Sequence, residues 1–183
     1  MADPAASEQQ LIAALERSAE RGAIGERSLP VAIAHADEFA REVPSEARDA
    51  VDLGSGGGLP GLVVAVRCPW LELVLVERRR TRADMLERAV RSLELGSRVR
   101  VAAADVRTTV PDLASSVDVV TARSFAAPAV TAGWASQLLR PGGRLLVSEP
   151  PADTLDRWPA EMLDRLGLVD LGRHGHLRVF QRR

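Results

Sequence analysis

The stretch "VDLGSGGGLPG", Val51 to Gly61, ends an apolar run on an acid and follows it with five glycines. Glycines at such a bend let backbone N–H groups approach a ligand, and a helix opening behind them adds its positive end. Two chemistries compete for this loop. Gly56, Gly58 and Gly61 fit the G-x-G-x-x-G spacing of a dinucleotide site. Asp52, Gly54, Gly56 and Gly58 fit a second pattern, an acid followed by alternating glycines, whose carboxylate can accept from the loop or from the amino group of an amino-acid moiety. Glu77 ends the next apolar run, "LELVLVE", where it can accept from both hydroxyls of a ribose, and either ligand would use it. Asp105, in "AAADV", can accept from an adenine amino group or cap the helix that follows.

These residues need a scaffold that brings strand ends together. "VDL", "LELVLVE", "RVRVAA", "VDVVTA" and "GRLLVSE" read as strands, and their near-continuous apolar character suits a parallel sheet covered on both faces. Helical spacing lies between them. Met85, Leu86, Ala89, Val90 and Leu93 mark one crossover helix, with Gly96 as its expected stop. Pro60 is expected in the first turn of the helix behind the glycine loop. Upstream, Leu11, Ile12 and Leu15 mark one helix, and Ile33, Ala36, Phe39 and Ala40 a second. The tail predicts a helix over 153–166 and a hairpin turning near His174 and Gly175, which inserts one antiparallel strand. The expected fold is therefore α/β: a seven-stranded, mostly parallel sheet with a helical extension over 1–46 and a single compact unit over 47–183.

Composition narrows the function classes. All 24 basic residues are arginine and are balanced by 25 acids, a net charge of -1, so no chain-wide basic footprint for nucleic acid exists. Arg78, Arg79, Arg80 and Arg82 form a local cluster, either a nucleic-acid contact or a solvated helix start. Cys68 is the single cysteine and reads as a packing residue; no intrachain disulfide or cysteine-rich metal site can form. His174 and His176 lack a third partner for a metal and read as hairpin surface residues. With no apolar stretch of membrane-spanning length, the expected location is the cytoplasm.

Taken in order, Asp52-Leu53-Gly54-Ser55-Gly56-Gly57-Gly58, Glu77, Asp105 and "LRPGGRLLVSE" resemble the successive motifs of class I S-adenosylmethionine-dependent methyltransferases, a Rossmann-like fold. "DLGSGGGLPGLVVAVRCP" and "ARSFAAPAVTAGWASQLLRPGGRLLV" are similar to the RsmG (GidB) family, guanine-N7 methyltransferases of small-subunit ribosomal RNA, and "GAIGERSLPVAIAHADEFA" resembles the helix entry preceding that family's core. The resemblance implies S-adenosylmethionine as cofactor and ribosomal RNA or the ribosomal subunit as partner. It also implies Gly54 and Leu59 on the methionine side, Val106 on the adenine side and Arg123 in the "RSFA"-type motif, the alternative for that arginine being a surface or core-paired position. No residue is singled out as catalytic. The chain departs from the family in having no asparagine, in keeping only His35 where an arginine-histidine pair is usual, and in carrying Glu149-Pro150 where a lysine and glycine are usual. A carboxylate facing phosphates would oppose RNA binding. A small-molecule acceptor and a non-catalytic S-adenosylmethionine-binding protein are the competing expectations.

Overall fold

The computed structural model describes residues 4–25, 28–150 and 157–183. Strands β1 (Asp49–Leu53), β2 (Glu72–Val76), β3 (Val99–Ala102), β4 (Val117–Ala122), β5 (Leu139–Ser148), β6 (Leu168–His174) and β7 (Leu177–Arg182) form one sheet in the order β3-β2-β1-β4-β5-β7-β6. All pairings among β1 to β5 are parallel, and β7 enters antiparallel between β5 and β6. The strand order reverses between β1 and β4, and open α/β sheets bind ligands outside the carboxyl ends of their strands at such a reversal.

Helices α1 (Pro4–Glu20), α2 (Leu29–Glu42), α3 (Gly61–Arg67) and α4 (Arg80–Ser92) cover one face; α5 (Val106–Leu113), α6 (Pro128–Leu138) and α7 (Ala160–Leu166) lie on the other. Pleat alternation divides the core accordingly: Val119 packs with Leu11, Phe39 and Leu62, while the adjacent Val120 packs with Leu138 and Phe180. Apolar residues on both faces of the central strands explain why the strands read as unbroken runs. No described helix is long and apolar enough to cross a membrane.

Three expected boundaries move. The helix behind the glycine loop opens at Gly61, with Pro60 as its N-cap. Helix α4 stops before Gly96: Glu94 takes the left-handed conformation (φ 56), Leu95 N–H donates to Val90 O and Glu94 N–H to Arg91 O. This is a Schellman closure built on glutamate instead of glycine, with buried Leu95 as its apolar contact. In the tail, residues 153–156 lie outside the described residues, and helix α7 begins after Pro159.

Candidate functional site

The glycine loop leaves the carboxyl end of β1. Val51 and Leu53 point into the core beneath α5 to α7, so Asp52 between them points toward α3. There it is wholly buried, and the Thr121 hydroxyl on β4 donates to its Oδ1 at 2.7 Å. A Cβ on Gly61 would sit 2.6 Å from Asp52 Oδ2, so glycine is what lets α3 settle on this carboxyl. Burial pushes the Asp52 pKa up to about 6, against hydrogen bonds from Thr121, Ser55 and the Gly61 backbone and the charge of Arg123. Asp52 borders neither of the cavities described next. Of the two roles expected of it, the contacts observed are those with Thr121 and with the loop, which they support from behind.

Two cavities flank the loop. The larger, of about 400 Å³, is lined by Gly54, Glu77, Asp105 and Val106, with Phe125 and Trp134 among its apolar walls. The smaller, of about 170 Å³, is lined by Gly54, Gly56, Leu59, Arg123 and Ser124, and by residues 23–25 from the turn after α1. Glu77 joins them. Its Oε2 accepts from Gly56 N–H at 3.0 Å and its Oε1 from Arg79 N–H at 2.7 Å, so one carboxylate ties the loop to the end of β2 and to the start of α4. Asp105 is the N-cap of α5, accepting from Arg107 N–H at 3.0 Å, while also bordering the larger cavity. Capping the helix thus leaves Asp105 at the wall of the cavity. Seven of the nine expected residues border a cavity. Gly58, like Asp52, stands behind them: at φ 103 it turns the chain, and a Cβ there would meet Leu62 Cδ1 at 2.4 Å.

Sequence reasoning did not single out Phe125, Ser124 or Ala23-Ile24. Phe125 packs so closely over Gly54 that a Cβ would lie 2.8 Å from its ring, and Ser124 takes φ 53 to place it. Ala23 O and Ile24 Cγ1 would lie 2.8 and 2.7 Å from a Cβ on Gly57, so the N-terminal segment closes over the loop. An aromatic two residues after the arginine of "RSFA" was a signal for the first, and the resemblance of "GAIGERSLPVAIAHADEFA" covered the second without showing that it closes over the loop.

Glu149 does not face outward. Its side chain is 9% exposed and accepts from the Trp158 indole N–H at 2.9 Å, with Arg157 Nη2 at 3.3 Å. The negative charge expected at an RNA surface is thus spent inside the fold, anchoring the chain after β5. His176 Nδ1 and His174 Nδ1 lie 2.7 and 2.9 Å from Glu38 and Glu42, tying the hairpin turn to α2. Glu38 is pushed up by burial, but the hydrogen bonds and charge of His176 hold it below the usual carboxylate range. Cys68 is buried and donates weakly to Ala40 O, and burial raises its pKa. Among the described residues no group of histidine, cysteine and carboxylate side chains could hold a metal ion.

The family model for rRNA small subunit methyltransferase G (GidB) matches residues 25–153. A curated relative from Acidiphilium cryptum, "Ribosomal RNA small subunit methyltransferase G", is 45% identical over 101 residues, covering 55% of this chain and 44% of the relative. Its namesake from Salinispora tropica is 37% identical over 161 residues, covering 80% of this chain and 64% of the relative. The chain thus spans about half to two thirds of these relatives' lengths. An O-methyltransferase family protein from Burkholderia thailandensis shares the fold, with a TM-score of 0.66 at 20% identity over 83% of this chain and 56% of that one. With the matched segment running from the closing turn through the glycine loop, Glu77, Asp105 and Arg123, the chain belongs to the GidB family of rRNA small subunit methyltransferase G.

Proposed function

We propose that the chain is an S-adenosylmethionine-dependent methyltransferase of the cytoplasm that acts on guanine N7 in small-subunit ribosomal RNA. The observation that carries this reading is the Glu77 clamp. A carboxylate that already fixes the Gly56 N–H at 3.0 Å borders the cavity shared by Gly54, Asp105 and Val106, so loop and pocket form one unit. The donor set fits the cofactor. Glu77 retains lone pairs for a ribose diol, Asp105 an acceptor for an adenine amino group, and Val106 and Phe125 apolar surface for the base. On the methionine side, Gly54, Gly56, Leu59 and Arg123 line the smaller cavity, where the guanidinium suits a carboxylate.

When bound, the sulfonium supplies an electrophilic methyl group. Guanine N7 attacks with a lone pair and has no proton to lose, so the protein's tasks are alignment and exclusion of water and no general base is required. That matches a site whose cavity-lining carboxylates are engaged with backbone N–H groups. The turn at Ala23-Ile24 would close the glycine loop, making residues 1–46 an extension that completes a 47–183 domain.

The test is methyl transfer from labelled S-adenosylmethionine to undermethylated small ribosomal subunits, followed by nucleoside analysis. The reading requires label in 7-methylguanosine. Label in a different nucleoside would correct the acceptor atom, and cofactor binding with transfer only to small molecules would favour the small-molecule reading.

A further inference from the structure

Arginines continue beyond the cofactor cavity in an unbroken line. Arg79, Arg82 and Arg107 border that cavity. Arg82 also borders the smaller cavity at the glycine loop and a third, of about 350 Å³, which it shares with Arg21 and Arg88. Arg21 and Arg88 then border a fourth with Arg17. Because each depression shares an arginine with the next, they form one track from the candidate site, along α4, to the end of α1.

The pairing along this track is lopsided. Of the acids near it, Asp84 pairs with Arg80 at 2.9 Å, Glu87 with Arg91 at 3.9 Å and Glu77 accepts from backbone N–H groups, while Glu16 and Glu20 on α1 are exposed and make no ion pair among the described residues. Among the described residues, Arg21, Arg79, Arg82 and Arg88 have no ion pair, and Arg17 donates only to Ser92 Oγ at 3.4 Å. Five arginines without an ion pair, Arg17, Arg21, Arg79, Arg82 and Arg88, outnumber Glu16 and Glu20, so the track keeps an excess of positive charge whose members repel one another. A polyanion reverses that repulsion. The spacing favours a long one: Arg82 and Arg88 are six residues apart on one helix, roughly 9 Å along its axis, and Arg21 and Arg17 extend the line onto α1. One phosphate would meet only part of it. Guanidinium forks match successive phosphodiester oxygens.

We propose that this track holds the phosphate backbone of the RNA strand flanking the target base. The assignment rests on the reading that RNA is the acceptor.

The test uses the full chain carrying Arg21→Gln and Arg88→Gln together. Neither residue borders the two cavities at the glycine loop. Fluorescence anisotropy with a labelled small-subunit ribosomal RNA transcript gives affinity against salt, and calorimetry gives S-adenosylmethionine affinity. Each single-strand phosphate contact contributes about 0.7 to the slope of log K on log salt, so losing two makes the slope shallower by about 1.4. The parent's advantage over the variant should then shrink about sevenfold between 50 and 200 mM salt, with cofactor affinity unchanged. Arg21→Lys with Arg88→Lys should restore most of the slope. Parallel salt dependences for parent and glutamine variant overturn the track. So does a parent that binds cofactor but no RNA, whereas a parent that binds neither overturns the proposed function itself.

Discussion

Replacing Glu77 by glutamine changes one oxygen to an NH2 group at almost constant shape. In the parent both oxygens accept backbone N–H donors, Gly56 at 3.0 Å and Arg79 at 2.7 Å, in a residue 6% exposed. Glutamine can satisfy one donor and must turn its own N–H groups toward the other. Hydrogen bonds to an ionised group contribute about 1.5–3 kcal/mol each, so one such loss is the expected destabilisation. For a chain of this size that lowers the thermal midpoint by about 3–12 °C. Since the same side chain is proposed to hold the ribose diol, S-adenosylmethionine binding should weaken roughly ten- to hundredfold. Circular dichroism melts and calorimetry on parent and variant read the two effects separately. A variant melting within a degree of the parent would refute the clamp, and an unchanged dissociation constant would refute the ribose assignment.

Gly56→Ala should be mild and Gly58→Ala severe, because the nearest atom to a Cβ is 3.7 Å away at Gly56 but 2.4 Å away at Gly58; urea midpoints of the two variants should differ clearly. Asp52 predicts a pH dependence of definite sign. The carboxyl is protonated in folded and unfolded chains below its ordinary 3.8; between there and about 6 only the fold keeps the proton, so its contribution to stability falls as pH rises and is lost above about 6. The full difference is about 3 kcal/mol, and Asp52→Asn should abolish this part of the profile in urea titrations; superimposable profiles would count against it. Glu149→Lys removes an acceptor of the buried Trp158 indole and sets a cation beside Arg157, so it should cost about 1–3 kcal/mol of stability in a melt instead of improving RNA binding. Glu38→Gln should speed hydrogen exchange at His176 N–H, which donates to Glu38 at 2.8 Å; unchanged protection would mean that the clasp to α2 carries no stability.

The parts legible in the sequence were those governed by short-range pattern. Apolar runs located the five parallel strands, and "RHGHL" located the hairpin turn because a short polar interval joins two strand-like runs. Parity along β1 was not read from the sequence, although it explains the outcome: Val51 and Leu53 face one layer, so Asp52 faces the other and is wholly buried behind the loop. Asp105 could not be resolved by pattern, because a helix cap and a cavity-lining acceptor occupy the same strand end. The closing of α4 on Glu94 misled the search for a glycine, since closure depends on bonds to Val90 and Arg91 that a non-glycine residue can also permit. Glu149 was illegible for a different reason. Its orientation is fixed by Trp158, beyond a proline-containing interval, and such pairings are set by how the chain returns to the sheet.

The central claim is that the cavities around the glycine loop bind S-adenosylmethionine. The most direct measurement is calorimetric titration of the cofactor into the parent and into Gly56→Arg. At φ 55, with no other atom within 3.7 Å of its Cβ, residue 56 can carry a side chain for roughly 1–2 kcal/mol of backbone strain and direct it into the smaller cavity. The account predicts saturable one-to-one binding by the parent and none by a variant that still unfolds cooperatively. No heat from the parent, or equal affinity in the folded variant, would contradict it.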